Sequence, residues 1–217
     1  MDERIKRTME NLERNNISAF YADSSAEVCE KVKEMLFDGA VITAGGSVSL
    51  KESGVWDIMC SEKYKFYDRT KSGLSEEERL DTFRAAIGCD FFFCSSNAVT
   101  ENGELVNVDG TANRISSIAF GPKRVVMVVG VNKIVKDVKE GLLRVKRTAA
   151  PKNTVRLNLP APCNRLGHCV SLEKSECPDM TDGCCGESRI CCDYLISAKQ
   201  RTKGRITVIF CGENLGY

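Results

Sequence analysis

Two uninterrupted apolar runs, Phe91-Phe92-Phe93-Cys94 and Val125 to Val131, frame the stretch that most constrains this chain. Runs this short and this continuous read as strands buried on both faces, as in parallel sheets covered by helices on each side. Between them lie a Thr-Glu-Asn-Gly turn at 100–103, an Asn-Val-Asp-Gly turn at 107–110 and a short amphipathic segment. Polar, glycine-punctuated loops at the ends of apolar strands are where open α/β sheets carry their ligand sites.

The rest of the chain alternates in the same way. Ile5, Met9 and Leu12 mark an opening helix, followed by a strand around 17–21. Ser24 and Glu27 frame the start of a helix carrying Val28, Val32, Met35 and Leu36. Residues 40–43 form a short buried strand, and a helix beginning near Ser47 to Ser49 runs past Trp56. A strand at 64–68 precedes a helix capped by Ser75 and Glu78, with Leu80, Phe83 and Ile87 on one face. Asp137 and Glu140 cap a helix that turns Val138, Leu142 and Val145 inward, and the last strand is 206–210. The fold class this predicts is α/β: a Rossmann-like open, mostly parallel sheet with helices on both faces.

At 217 residues the chain suits one such domain with a single core. A formal charge of +1 supplies no field for nucleic acid. No apolar run approaches the ~20 residues of a membrane span, and the charged start MDERIKRTMENLERN lacks an apolar signal core, so the expected compartment is the cytoplasm. Twelve cysteines would then be reduced thiols, and clusters of them in that setting bind metal or do redox work.

Three loops carry candidate site residues. Thr43-Ala44-Gly45-Gly46-Ser47 is a strand-to-helix junction in which Gly45 and Gly46 let backbone N–H groups approach an anion and Ser47 begins a helix. Read blandly, it is a tight turn with Ser47 as cap. Glu101 stands beside a glycine turn as a possible nucleophile or general base, although Asn102-Gly103 as a hairpin turn with Glu101 merely solvated explains the residue types equally well. Asn107, Asp109, Asn113 and Arg114 surround the second turn, where Arg114 could grip a carboxylate and the Asn and Asp side chains could simply cap backbone. Asn97 and Lys133 lie just past the two apolar strands. In a parallel sheet these motifs converge at the carboxyl edge, giving a pocket for a small anionic metabolite with Arg114 on its carboxylate and Glu101 as the acid–base group.

Residues 160–193 break the rhythm. This Cys-rich insert has little periodicity and holds Cys163, Cys169, Cys177, Cys184, Cys185, Cys191 and Cys192, with the lone histidine, His168, beside Cys169. Thiolates in a Pro- and Gly-rich stretch can enclose an iron–sulfur cluster or a structural zinc, but the C-x2-C pairs typical of such sites are missing. Buried inert thiols, or redox chemistry at the adjacent pairs, are the competing readings.

With these residues in view, the chain resembles the LUD-domain family of lactate utilization proteins. The resemblance rests on Gly45-Gly46-Ser47-Val48-Ser49-Leu50-Lys51-Glu52-Ser53-Gly54 and Ser96-Asn97-Ala98-Val99-Thr100-Glu101-Asn102-Gly103-Glu104-Leu105-Val106-Asn107. Further matches are Asn113-Arg114, Phe120-Gly121-Pro122-Lys123, Gly130-Val131-Asn132-Lys133-Ile134-Val135, Ala149-Ala150-Pro151, Arg189-Ile190-Cys191 and the closing Gly212-Glu213-Asn214-Leu215-Gly216-Tyr217. It implies the fold of the ribose-phosphate isomerase and CoA-transferase superfamily. It also implies a role in oxidising lactate or a related hydroxy acid alongside iron–sulfur oxidoreductase subunits. In the related CoA transferases a Ser-Glu-Asn-Gly segment supplies a glutamate nucleophile, which Thr100 to Gly103 resembles. The continuation Glu104 to Gly110 is more like the turns of the sugar-phosphate isomerases. A stand-alone enzyme using Glu101, or a non-catalytic ligand sensor, are therefore the rival functions. A pattern in part of the family, matched by Pro162-Cys163, Gly167-His168-Cys169, Cys184 and Arg189-Ile190-Cys191, implies Cys163, Cys169, Cys184 and Cys191 as a metal-ligand set. Cys177, Cys185, Cys192 and His168 are its alternates.

Overall fold

The structure is a computed structural model and describes residues 1–217. Helix α1 (Glu3–Arg14) leads to β1 (Ser18–Ala22), α2 (Ser25–Met35), β2 (Val41–Ala44), α3 (Val48–Glu52), α4 (Val55–Met59), β3 (Lys65–Tyr67), α5 (Glu76–Gly88) and β4 (Phe91–Cys94). A hairpin of β5 (Ala98–Thr100) and β6 (Leu105–Asp109) precedes α6 (Asn113–Ala119), β7 (Arg124–Gly130) and β8 (Ile134–Val135). One helical rod then runs through α7 (Val138–Arg144), a π-helical stretch (Val145–Ala149) and α8 (Ala150–Arg156). Short α9 (Pro162–Leu166), β9 (Asp193–Ser197) and β10 (Ile206–Cys211) follow.

Six strands form one sheet in the order β1-β10-β7-β4-β2-β3, every pairing parallel. Successive residues of a strand point to opposite faces, so the all-apolar runs feed two cores. Phe92, Cys94, Val125, Met127, Val208 and Phe210 pack with Ile5 and Leu12 of α1, Ala86 of α5 and Ile118 of α6. Phe91, Phe93, Val126, Val128 and Ile209 pack on the other face with Val28 and Val32 of α2, Leu50 of α3, and Val55 and Met59 of α4. The Rossmann-like arrangement follows from this double burial, each large side chain contributing on the order of 1.5–3 kcal/mol. No helix is long and apolar enough to cross a membrane.

Several elements depart from the sequence reading. The helix expected to run past Trp56 is two short ones, interrupted where Gly54 takes a left-handed φ of 77°. On α5 the Ser75–Glu78 capping box is present, yet Leu80 and Ile87 are exposed and Ala86 is the buried contact. A second, four-stranded sheet, β8-β5-β6-β9, has no counterpart in the reading. Its strands are as short as two residues, below the length at which alternation can be recognised. The rod formed by α7 and α8 widens to π-helical immediately before Pro151. Proline has no N–H to give the carbonyl of the preceding turn, which is a recognised cause of such a break.

The β5–β6 hairpin fixes where its tip lies. Gly103, with φ 85°, turns the chain so close to α1 that a Cβ there would stand 2.7 Å from the Asn11 carbonyl carbon and the Leu12 nitrogen. Asn11 and Asn15 donate side-chain hydrogen bonds to the carbonyls of Glu101 and Asn102, at 2.7 and 3.0 Å. Substituting Gly103→Ala should therefore destabilise the protein by roughly 1–3 kcal/mol, combining backbone strain with a clash against helix backbone. Urea unfolding measures this; a loss below a few tenths would mean that the tip is not docked.

Candidate functional site

Because the sheet is parallel, the loops leaving β2, β4 and β7 emerge at one edge. They bring Gly46, Ser47, Asn97 and Lys133 around a cavity of about 310 Å3 that is also lined by Asp109, Asn113 and Arg114. The predicted convergence thus holds for these seven residues. Asp109 is delivered by β6, which runs back antiparallel to β5. Ser47 caps α3 by accepting from the Leu50 N–H at 3.3 Å. Gly45 lies beneath the wall, its backbone against the Arg114 side chain, and Asn107 is fully buried behind it.

Arg114 does not have the role expected of it. Its Nε donates to Asp109 Oδ1 at 3.0 Å, Nη1 to the Ser95 carbonyl at 2.8 Å and Asn107 Oδ1 at 2.6 Å, and Nη2 to Asn97 Oδ1 at 2.7 Å and the Val108 carbonyl at 3.1 Å. A guanidinium has five N–H donors, and all five are used inside the protein. The Asp109 carboxylate in turn accepts the Arg114 and Ile115 N–H groups, at 2.8 and 2.7 Å, at the start of α6. Arg114 and Asn107 are therefore the frame of the cavity rather than hands for a ligand, and the expectation that Arg114 fixes a carboxylate is corrected. Its donors are saturated.

The free cations are others. Arg69, just past β3, lies over the Gly46 backbone and against the Phe83 ring, 5.2 Å from its centroid. Arg156, at the end of α8, also lines the cavity, its guanidinium held by Asn153 Oδ1 at 2.7 Å. Burial, and next the Arg156 cation, lower the Arg69 pKa. Lys133 is buried and donates to Ser49 Oγ at 2.9 Å and Ser95 Oγ at 3.1 Å. Burial first, then the Arg144 and Arg114 cations, bring its pKa down to about 7. Asp109, the single carboxylate among the lining residues, is already committed to Arg114. Of the three cations, Lys133 is buried, Arg69 is half-buried and Arg156 is exposed at the cavity's rim. An open groove continues from the cavity past Arg69 and Arg156 to Lys51 and Arg79, again with no carboxylate.

Glu101 is not in this cavity. Strand β5 starts at the cavity wall and carries the chain away from it, so the four steps from Asn97 to Glu101 span about 13 Å. At that distance the carboxylate is ion-paired to Arg4 and Arg7 of α1. Hydrogen bonds from Arg7 and then Arg4 lower its pKa. The turn type was legible in Asn102-Gly103; the direction of travel was not.

In the Cys-rich stretch the structure sorts the thiols. Cys163, Cys169, Cys184 and Cys191 line one small cavity together. Cys177, Cys185 and Cys192 are exposed, and His168 faces Glu173 at 3.4 Å. Burial foremost, and then the neighbouring Cys191 and Cys163, push the Cys184 thiol up.

Sequence reasoning missed Arg69, Arg156, Ser95, Asn153 and Tyr217 as lining residues. Ser95 and Arg69 follow apolar strands and the strand-end rule could have found them. Arg156 and Asn153 end a helix and carry no local signal.

Comparison with known proteins agrees with this architecture. A crystal structure of a duf162 family protein from Deinococcus radiodurans, at 1.70 Å resolution, is similar over 97% of each chain, with a TM-score of 0.53 and 14% identity, a likeness of fold. None of the curated proteins matches the chain. The family model described as LUD domain matches residues 5–211. This chain belongs to the LUD domain family.

Proposed function

We propose that the cavity at the carboxyl edge binds a small anionic hydroxy acid of the lactate type. In this reading the chain serves in the use of that acid together with iron–sulfur partner proteins. The observation that carries the anion part is the set Lys133, Arg69 and Arg156, facing one cavity whose single carboxylate is neutralised from within. Family membership supports the hydroxy-acid part. A three-carbon acid fills only part of about 310 Å3, which leaves room for a second reactant beside it. Lys133, with its pKa near 7, can exchange a proton with the bound acid at neutral pH.

Calorimetric titration with lactate, pyruvate and longer 2-hydroxy acids tests the reading. Arg156→Ala should weaken the best ligand at least tenfold, about 1.4 kcal/mol. Glu101→Gln should leave its affinity unchanged, because that carboxylate is spent on α1. If no hydroxy or keto acid binds, the assignment fails. So does equal weakening by Glu101→Gln.

Lys133 gives the site a pH dependence of definite sign. An anion favours the ammonium, so affinity should strengthen as pH falls through about 7 and lose that slope in Lys133→Met. Stability runs the other way. The folded pKa of Lys133 lies below its ordinary 10.5, so between about 7 and that value the unfolded chain binds more protons. The contribution of this residue to stability therefore rises with pH across that window, and Lys133→Met should flatten the rise. Unfolding midpoints from pH 7 to 10 that match in wild type and variant would contradict the buried, depressed amine.

A further inference from the structure

Lys133 is a buried amine whose hydrogen-bond partners are two hydroxyls and no carboxylate. Its Nζ lies 2.9 Å from Ser49 Oγ and 3.1 Å from Ser95 Oγ, and all three residues line the cavity at the carboxyl edge. The fold brings them there from three elements. Ser95 immediately follows β4, Lys133 closes the turn Val131–Lys133 after β7, and Ser49 sits in the first turn of α3. Because β4 and β7 pair in parallel, their ends reach the same edge. An ammonium taken out of water without a counter-ion is costly, and an apolar side chain of similar volume would carry no such cost. A group of this kind held in a cleft is a candidate for chemistry.

The two serines are not equivalent. Ser49 Oγ also donates to the Leu215 carbonyl at 3.3 Å, and the residue is 1% exposed. Ser95 is 8% exposed, and its one other partner is the Ser96 carbonyl at 3.5 Å, the outer limit of a hydrogen bond. The Ser95 hydroxyl is therefore the one free to turn its proton toward Lys133, while Ser49 holds the amine in place. The charged and titratable groups that face Lys133 are Arg144 from α7, Arg114 from α6, Glu52 from α3 and Cys94 from β4. Glu52 accepts the Gly216 N–H at 2.6 Å, and burial pushes the Cys94 thiol up to about 12, so it stays neutral. Burial and the two guanidiniums bring the Lys133 pKa to about 7, which makes a free amine available as a base at neutral pH.

We propose that Ser95 and Lys133 form a serine–lysine dyad that cleaves an ester of a small acid by acyl transfer. Ser95 Oγ attacks the ester carbonyl carbon while Lys133 Nζ takes the hydroxyl proton. The carbon–oxygen bond to the leaving group then breaks, and the Lys133 ammonium gives its proton to the departing alkoxide. Water, losing a proton to Lys133, attacks the acyl-serine; the proton passes to Ser95 Oγ as the free acid leaves, restoring both residues. Charge on the carbonyl oxygen builds up in a cavity lined by Arg69 and Arg156, whose wall also carries Tyr217, with its hydroxyl buried and without a hydrogen-bond partner. Ser49 is a positioning residue, since it touches Lys133 and not the ester. The dyad uses the cavity of the hydroxy-acid reading but does not require a hydroxy acid to bind.

Two reagents test it on the full chain: a fluorophosphonate, from which a nucleophilic serine displaces fluoride at phosphorus, and p-nitrophenyl acetate as the ester. Peptide mass mapping should find the phosphonate on Ser95, and release of p-nitrophenol should rise with pH through about 7. Ser95→Ala and Lys133→Met should each slow both reactions by roughly 100-fold or more. Ser175→Ala, at an exposed serine, should change neither. Ser49→Ala should keep the label and move the midpoint of the pH profile down, because the ammonium loses an acceptor; a merely structural serine would leave that midpoint in place. Mapping on the wild type decides the matter whether or not a variant folds. Wild type that takes no label, label on another serine, or turnover that survives Ser95→Ala overturns the dyad. Calorimetry with hydroxy acids reads the other proposal separately: acid bound by protein that takes no label removes the dyad alone, and label without acid binding removes the hydroxy-acid reading alone.

Discussion

The guanidinium of Arg114 ties together the ends of β4, β5 and β6 and the start of α6, spending all five of its donors on Asp109, Asn107, Asn97 and the carbonyls of Ser95 and Val108. These groups lie where two sheets meet, and without a shared partner their polar atoms would be buried unpaired. Removing one member of such a buried ion pair costs about 3–5 kcal/mol, because the other charge is left uncompensated. The cavity is therefore a consequence of the frame. Asn97 and Asp109 face inward because Arg114 holds them, and Arg69, Arg156 and Lys133 line the cavity that remains.

The main sheet could be read directly from the chain because its strands are buried on both faces. Phe91 to Cys94 and Val125 to Gly130 have no polar residue to place outward, and no other element explains such runs. The caps at Ser24, Ser75 and Asp137 were equally local and equally legible. The second sheet was not, since strands such as Ala98–Thr100 and Ile134–Val135 are defined by their partners rather than by their own pattern. The site divides along the same line. Gly46, Ser47, Asn97 and Lys133 follow strands and were found; Arg156 arrives on a helix end far along the chain and was not.

Arg114 and Glu101 show how residue type misleads when direction is missing. Both are charged residues next to glycine turns, which is a fair description of many active-site groups. Hairpin geometry sends Glu101 to α1, and saturation of its donors turns Arg114 into scaffold. The cysteines show the converse. A stretch with no periodicity gave no fold, but the four positions that line one cavity are separated by the structure from the three that face solvent.

The π-helical stretch Val145–Ala149 also acts as a phase shifter. Arg144 donates to the Asn97 carbonyl at the cavity, and Arg156 lines that cavity twelve residues later. At 100° per residue a regular α-helix would leave two such positions about 120° apart. A π turn takes up one extra residue, so the rod beyond it is set back by about 100° and the two arginines fall within about 20° of each other. One surplus residue, inserted where Pro151 already weakens the ladder, lets one helical rod turn Arg144 to the Asn97 carbonyl behind the cavity and Arg156 to the cavity itself.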